Sequence, residues 1–227
     1  SYFKDNKFKI IVTTYNPGLQ FIKKCLNSIS QQKYTNYEVC IIDDCSTRDV
    51  NRLKEYIIKY CKENNWKYIF NTENLGMINS FINGVEFLNC DNNDILISVD
   101  GDDELFNENV LTLLNNKYDY KTLLTFGNMI SVEDNEYDFT EHKCNRDWDY
   151  ISNNKLFRDE NWHYSHLKTF RYKLFKEINK DDLKRDNKYV KSATDRALMY
   201  PMLEMAGNKF KCISCLLYTS DAADEED

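Results

Sequence analysis

The densest chemistry in the sequence is Asp100-Gly101-Asp102-Asp103, directly after the apolar run Ile95-Leu96-Ile97-Ser98-Val99. Carboxylates packed this closely repel one another. At the end of a buried strand they persist most easily if a cation offsets them. A hard divalent ion held by one or two carboxylates plus phosphate oxygens suits such a set. The competing reading is an acidic helix start, since Asp102, Asp103 and Glu104 precede a stretch of helical spacing. A calcium loop starting at Asp100 is excluded, because Leu105 and Leu111 stand where Gly and Glu are required. Asp43-Asp44 follows the apolar run Val39-Cys40-Ile41-Ile42 and would add a second acidic pair at a strand's C-terminal end. An acid there can accept hydrogen bonds from a ribose or a base N–H; alternatively, Ser46 caps the next helix with Asp44 beside it. Thr13-Thr14-Tyr15-Asn16-Pro17-Gly18 supplies hydroxyl and amide groups that could line a nucleoside pocket or form an ordinary turn. It lacks the glycine patterns of dinucleotide and P-loop sites, which counts against a dehydrogenase and a P-loop NTPase.

These residues need elements to hold them at one rim. Phe8 to Thr13, Tyr37 to Ile42, Trp66 to Phe70 and Asp94 to Val99 read as strands. Leu19 to Ser30, Val50 to Cys61 and Met77 to Leu88 read as helices between them. The alternation predicts an α/β fold with a mostly parallel sheet and helices on both faces. In such sheets ligands bind outside the carboxyl ends of the strands, where both acidic clusters lie. Further on, Glu108 to Asn115 reads as a helix, Lys121 to Gly127 and His163 to Phe170 as strands, and Tyr172 to Ile178 as a short helix. Residues 131–161 read as loops and edge strands. Ala193 to Met205 reads as a helix that Pro201 should kink or restart, stopped by Gly207-Asn208. His163 and His166, three apart, would face opposite sides of a strand, so joint metal binding is not expected. One of them could reach a metal or a diphosphate. Trp148, Tyr150 and Trp162 could stack on a sugar or pack in the core.

The chain has 227 residues, 42% of them hydrophobic and 14% aromatic, enough for one domain with a real core. Residues from Cys215 onward resemble the translation of a sequencing-library adapter, and 215–227 are read as a non-native tail. Setting aside the five acids of that tail takes the formal charge from −7 to −2. With no basic excess, nucleic acid is not an expected partner. The scattered cysteines lack a zinc-ribbon spacing and read as free, mostly buried thiols in a reducing compartment. No apolar run approaches a membrane span. The expected location is the cytoplasm, with attachment to the cytoplasmic face of a membrane through segments outside this chain left open.

Taken in order, Ile10 to Asn16, Tyr37 to Thr47, Asn74-Leu75-Gly76 and Asp100 to Asp103 resemble the family 2 glycosyltransferases. The resemblance covers about residues 8–128. It implies a GT-A, Rossmann-like fold over 1–214, with a nucleotide-sugar half at 1–128 and a smaller acceptor-side half at 129–214. It implies a nucleotide-sugar donor, UDP-linked, with Mn²⁺ or Mg²⁺, and an inverting transfer to a hydroxyl of a saccharide, lipid-linked or protein acceptor. By position, Thr13, Tyr15, Asn16, Asp44, Asn74, Gly76, Asp100 and Asp103 would bind the donor, and Asp102 would be the main metal ligand. Ser192 to Leu198 resembles the family's acceptor-side motif, which makes Asp195 the general base. A helix N-terminus favours its ionised form. The plain alternative is a cap by Thr194 with Asp195 in the first turn. One departure stands out. The family often carries Ala-Arg-Asn where this chain has Ser80-Phe81-Ile82, so a donor-binding Arg is missing there. Arg48 is a candidate substitute. The rival functions are a nucleotidyltransferase and an inactive nucleotide or sugar binder.

Overall fold

A computed structural model describes residues 5–133, 136–139 and 144–219. The first half follows the expected alternation. It runs β1 (Phe8–Thr14), α1 (Leu19–Ser30), β2 (Tyr37–Asp43), α2 (Val50–Asn64), β3 (Lys67–Phe70), α3 (Met77–Leu88) and β4 (Ile95–Asp100). Then come β5 (Asp103–Leu105), α4 (Val110–Lys117), β6 (Leu124–Glu133), β7 (Glu136–Phe139), α5 (Trp148–Asn153), β8 (Ser165–Arg171) and α6 (Tyr172–Phe175). A 3₁₀ turn at Lys180–Leu183, a small ribbon of β9 (Lys184–Arg185) and β10 (Lys188–Tyr189), α7 (Thr194–Ala206) and β11 (Phe210–Thr219) complete the described chain.

The main sheet has nine strands in the order β3-β2-β1-β4-β8-β6-β11-β5, with β7 on β6. β3, β2, β1 and β4 are parallel, β8 is antiparallel to β4 and β6, and β11 runs parallel to β6. Helices cover both faces, and the sequence alternation decides which side chain meets which layer. Ile10, Val12, Ile41, Ile95 and Ile97 pack under α1, α2 and α4. Their neighbours Ile11, Cys40, Ile42 and Leu96 face α3, α6 and α7. Burial on both sides is why these strands read as continuous apolar runs.

The structure departs from expectation in several places. The acids after β4 do not start a helix. Asp103 opens the short strand β5, and α4 begins only after Asn109. β5 pairs with Leu217–Thr219 of β11, residues inside the segment whose sequence reads as a non-native tail. Trp148–Asn153 is a helix where loops were expected, and it is too short to show periodicity. Helix α7 runs through Pro201 to Ala206 as one element. The reading of the cysteines as free thiols is corrected at one pair: Cys144 and Cys212 are disulfide-bonded, with Cα atoms 5.3 Å apart. β11 brings Cys212 to Cys144 across 68 residues, a pairing that spacing alone does not reveal. Cys25, Cys40 and Cys61 are free and buried, and burial pushes the Cys40 and Cys61 thiols up to about 12. No helix among the described residues is long and apolar enough to cross a membrane.

Candidate active site

The acidic clusters lie at one rim of the sheet because β1 runs between β2 and β4. Thr13 sits in register with Ile42 on one side and Asp100 on the other. The pairing continues past the strand ends. The Asp44 N–H donates to the Thr14 carbonyl at 2.8 Å, and the Gly101 N–H to the Thr13 carbonyl at 2.9 Å. Gly101 is required by close approach. A Cβ there would lie 2.5 Å from Thr14 Oγ1 and 3.2 Å from Ile22 Cδ1. The acidic turn is thus pressed against the end of β1.

The two acids after β2 divide their work. Asp43 accepts from Ser46, from the hydroxyl at 2.5 Å and the N–H at 3.0 Å. The Ser46 hydroxyl in turn accepts the Asn16 N–H at 2.8 Å, and Asn16 Oδ1 accepts the N–H groups of Thr47 and Arg48. Ser46 therefore locks two loops together and does not cap α2, whose N-cap is Asp49. Asp44 is 5% exposed. It accepts from the Leu75 N–H and the Gly76 N–H, each at 2.8 Å, and from the Asn71 amide at 2.9 Å. The Asn74 amide donates to the Asp44 carbonyl at 3.4 Å. Asp44, Asn74 and Gly76, separate in sequence, form one network. Gly76 takes φ 87°, a conformation that favours glycine. Asp44→Ala is expected to leave these donors unpaired, cost about 1–3 kcal/mol in urea unfolding, and loosen the loop. Unchanged unfolding would show that the network carries no stability. Tyr15, by contrast, is half exposed beside this rim.

The second half of the chain contributes from β8 and α7. His166 Nε2 lies 3.9 Å from Asp100 Oδ2, and His166 Nδ1 lies 3.9 Å from Asp103 Oδ2. One ligand atom from each of Asp100, Asp103 and His166 falls within 4.8 Å of the others. Asp102, the ligand expected from the resemblance, stands outside this group in the turn between β4 and β5. His163 precedes β8, so the alternating-face argument does not apply to the pair. Asp195 Oδ2 lies 4.0 Å from His166 Nε2, and its other oxygen is ion-paired to Lys168. The N-cap of α7 is Ala193, with no side-chain cap. Thr194 is thus not a cap, and Asp195 is spaced with Leu198, Met199 and Met202 on the buried face.

The electrostatics follow from this crowding. Burial, first, and the neighbouring Asp195 push the Asp100 carboxyl up to about 6, against the pull of Lys168. Solvent still reaches 40% of that side chain, which screens part of the repulsion. Burial would also raise Asp195, but the charges of Lys168 and His166 and the Lys168 hydrogen bond outweigh it, and its carboxyl is held below the usual range. Asp195 is therefore ionised near neutrality.

Lys168 and Lys191 are site residues that the sequence reading missed. Lys168 stands among polar neighbours, His166, Thr169 and Arg171, and carries no sequence motif. Lys191 donates to the Asn74 carbonyl at 2.8 Å and ties the segment before α7 to the Asp44 network. Phe81, at the departure from the Arg pattern, is fully buried against Phe170 and Phe175, so that position cannot present a base. Trp148 and Trp162 pack in the aromatic core, while Tyr150 is exposed. A cleft of about 950 Å³ at the opposite end of the sheet, between Tyr120 and Met205, contains none of the expected site residues.

The family model described as Glycosyl transferase family 2 matches residues 9–179. The chain belongs to that family. This family 2 chain is 30% identical over 139 residues to "Glycosyltransferase GlyA" of Streptococcus pneumoniae serotype 4, a match spanning 61% of the chain and 19% of that protein. Its fold is that of GT-A structures. S. aureus TarS 1–349 in complex with UDP-GlcNAc superposes with TM-score 0.67 at 20% identity, covering 96% of this chain and 60% of that one. A mannosyltransferase, PcManGT from Pyrobaculum calidifontis, in complex with GDP-Man and Mn²⁺, gives 0.62 at 14% identity, covering 97% and 58%. The family 2 chain thus spans less than two thirds of each of these relatives.

Proposed function

We propose that this chain carries the sugar-transfer centre of a glycosyltransferase that uses a UDP-linked or similar nucleotide-sugar and a divalent cation. The observation that carries the reading is the convergence of Asp100, Asp103 and His166 within 4.8 Å, with Asp195 beside them. Two carboxylates and an imidazole suit Mn²⁺, and Mg²⁺ less well because of the nitrogen. Asp102 is the nearest further acid in the same turn. When bound, the ion supplies Lewis-acid neutralisation of the leaving diphosphate.

The chain's own groups divide the remaining work. The Asp44, Asn74 and Gly76 network shapes the nucleoside end, with Thr13, Tyr15 and Asn16 on the neighbouring loop. Asp195 accepts the proton of the acceptor hydroxyl as that oxygen attacks the anomeric carbon from the face opposite the diphosphate. Inversion follows from that approach. TarS bound to UDP-GlcNAc and PcManGT bound to GDP-Man and Mn²⁺ support a nucleotide-sugar donor. The acceptor is a hydroxyl on a saccharide, a lipid-linked sugar or a protein. The test is the nucleotide product. Incubation with a panel of nucleotide-sugars and Mn²⁺ should release nucleoside diphosphate. Pyrophosphate release would instead mark a nucleotidyltransferase, and no turnover with intact binding would mark an inactive binder.

A further inference from the structure

We propose that Lys168 is a positioning residue for transfer, its buried ammonium holding one oxygen of Asp195 so that the other stays directed toward the centre. The inference rests on the assignment of Asp195 as general base. Lys168 is 4% exposed, in the middle of β8. It is spaced two residues from Phe170, so the two share one face of the strand. Phe170 packs in the same core as Leu198, Met199 and Met202 of α7. Lys168 therefore rises from the sheet beneath the first turn of α7, where Asp195 comes down to meet it.

A buried ammonium is expensive, and an apolar residue at such a place is often neutral or stabilising. The other buried lysine of the sheet shows what a structural one looks like. Lys9 is held by Glu38, by Asp94 at 3.8 Å and by the Leu88 carbonyl at 3.0 Å, and it lies by the starts of the parallel strands, away from the acidic rim. Lys168 has one ion-pair partner among the described residues, and that partner is Asp195.

Strengthening the base is not its role, because a neighbouring positive charge makes a carboxylate a weaker proton acceptor. What the contact supplies is direction. Asp195 Oδ1 is occupied by Lys168, and Oδ2 lies 4.0 Å from His166 Nε2, next to Asp100 and Asp103. A carboxylate pinned at one oxygen can present only the other to an acceptor hydroxyl. A misplacement of about 1 Å can cost about 10²-fold in rate, more than the lost basicity returns.

The experiment compares wild type, Lys168→Met, Lys168→Arg and Asp195→Asn. Turnover is read as UDP release from a panel of UDP-sugars, and UDP affinity and stoichiometry by calorimetry with Mn²⁺. Counting UDP sites corrects for any loss of folded protein. Lys168→Met should lower kcat per UDP site about 10²-fold, with UDP affinity and donor KM within about threefold. Lys168→Arg should recover to within about tenfold of wild type. Should Lys168→Met not fold, Lys168→Ala, which likewise removes every donor toward Asp195, carries the same comparison. An unchanged kcat per site would reduce Lys168 to a structural role and overturn the proposal. So would a loss that falls on UDP affinity, which would place Lys168 on the diphosphate, or a Lys168→Arg variant as slow as Lys168→Met. Full turnover in Asp195→Asn would instead remove the base assignment itself, a separate failure.

Discussion

Asp195→Asn is expected to lower sugar transfer by about 10²–10⁴-fold while UDP and Mn²⁺ still bind. The substitution is nearly isosteric, and its carbonyl oxygen can still accept from Lys168. What disappears is the capacity to take a proton. The wild-type carboxylate is well suited to be tested this way, because it is ionised by Lys168 and His166 and about a third of it remains open to solvent. A residue that merely opened a helix would behave differently. Its loss would appear in stability, by about 1 kcal/mol, and leave turnover intact. Rates from nucleotide release, with UDP affinity measured on the same preparations, separate the two. Preserved transfer would remove Asp195 from the mechanism.

His166→Ala is expected to weaken Mn²⁺ binding by at least about 100-fold, since even the loss of an outer-shell partner typically costs 10–100-fold. The imidazole is the one ligand of the three that does not repel the others. Without it, Asp100 and Asp103 face each other near one ion with no nitrogen donor, and Asp100 is already pushed toward its neutral form. The free-ion signal of Mn²⁺ in electron paramagnetic resonance reads this directly, with no need for turnover. His163→Ala serves as the control, because His163 precedes β8 and does not belong to the three-residue group. Equal losses in both variants would argue against a specific role for His166.

How far the sequence revealed this arrangement differs by region, for physical reasons. From Phe8 to Asp100 the strands are buried on both faces and the helices amphipathic, so period and apolar runs mark each element to within a few residues. Asp44, Asn74 and Gly76 were singled out separately, and the structure explains their union: Asp44 collects the amides of the Asn74–Gly76 loop. Beyond Asp100 the signals are tertiary. β5 pairs with β11, far along the chain, and its acids resembled a helix start. The Cys144–Cys212 pair depends on the same strand. His166 was set beside His163 as though both lay in one strand, whereas β8 starts between them. Lys168, one charged residue among several in a mixed strand, carries no motif; its meaning appears only when α7 lays Asp195 over it. Residues 1–4, 134–135, 140–143 and 220–227, which include most of the proposed non-native tail, lie outside the described chain.

The account stands most directly on one titration: UDP into the wild-type chain by calorimetry, once with Mn²⁺ and once with EDTA. It predicts one UDP site per chain with Mn²⁺ and at least about a tenfold weaker one in EDTA, about 1.4 kcal/mol of binding free energy contributed by the ion. Equal affinity in both conditions would contradict it, because Asp100, Asp103 and His166 would then hold no ion against the diphosphate.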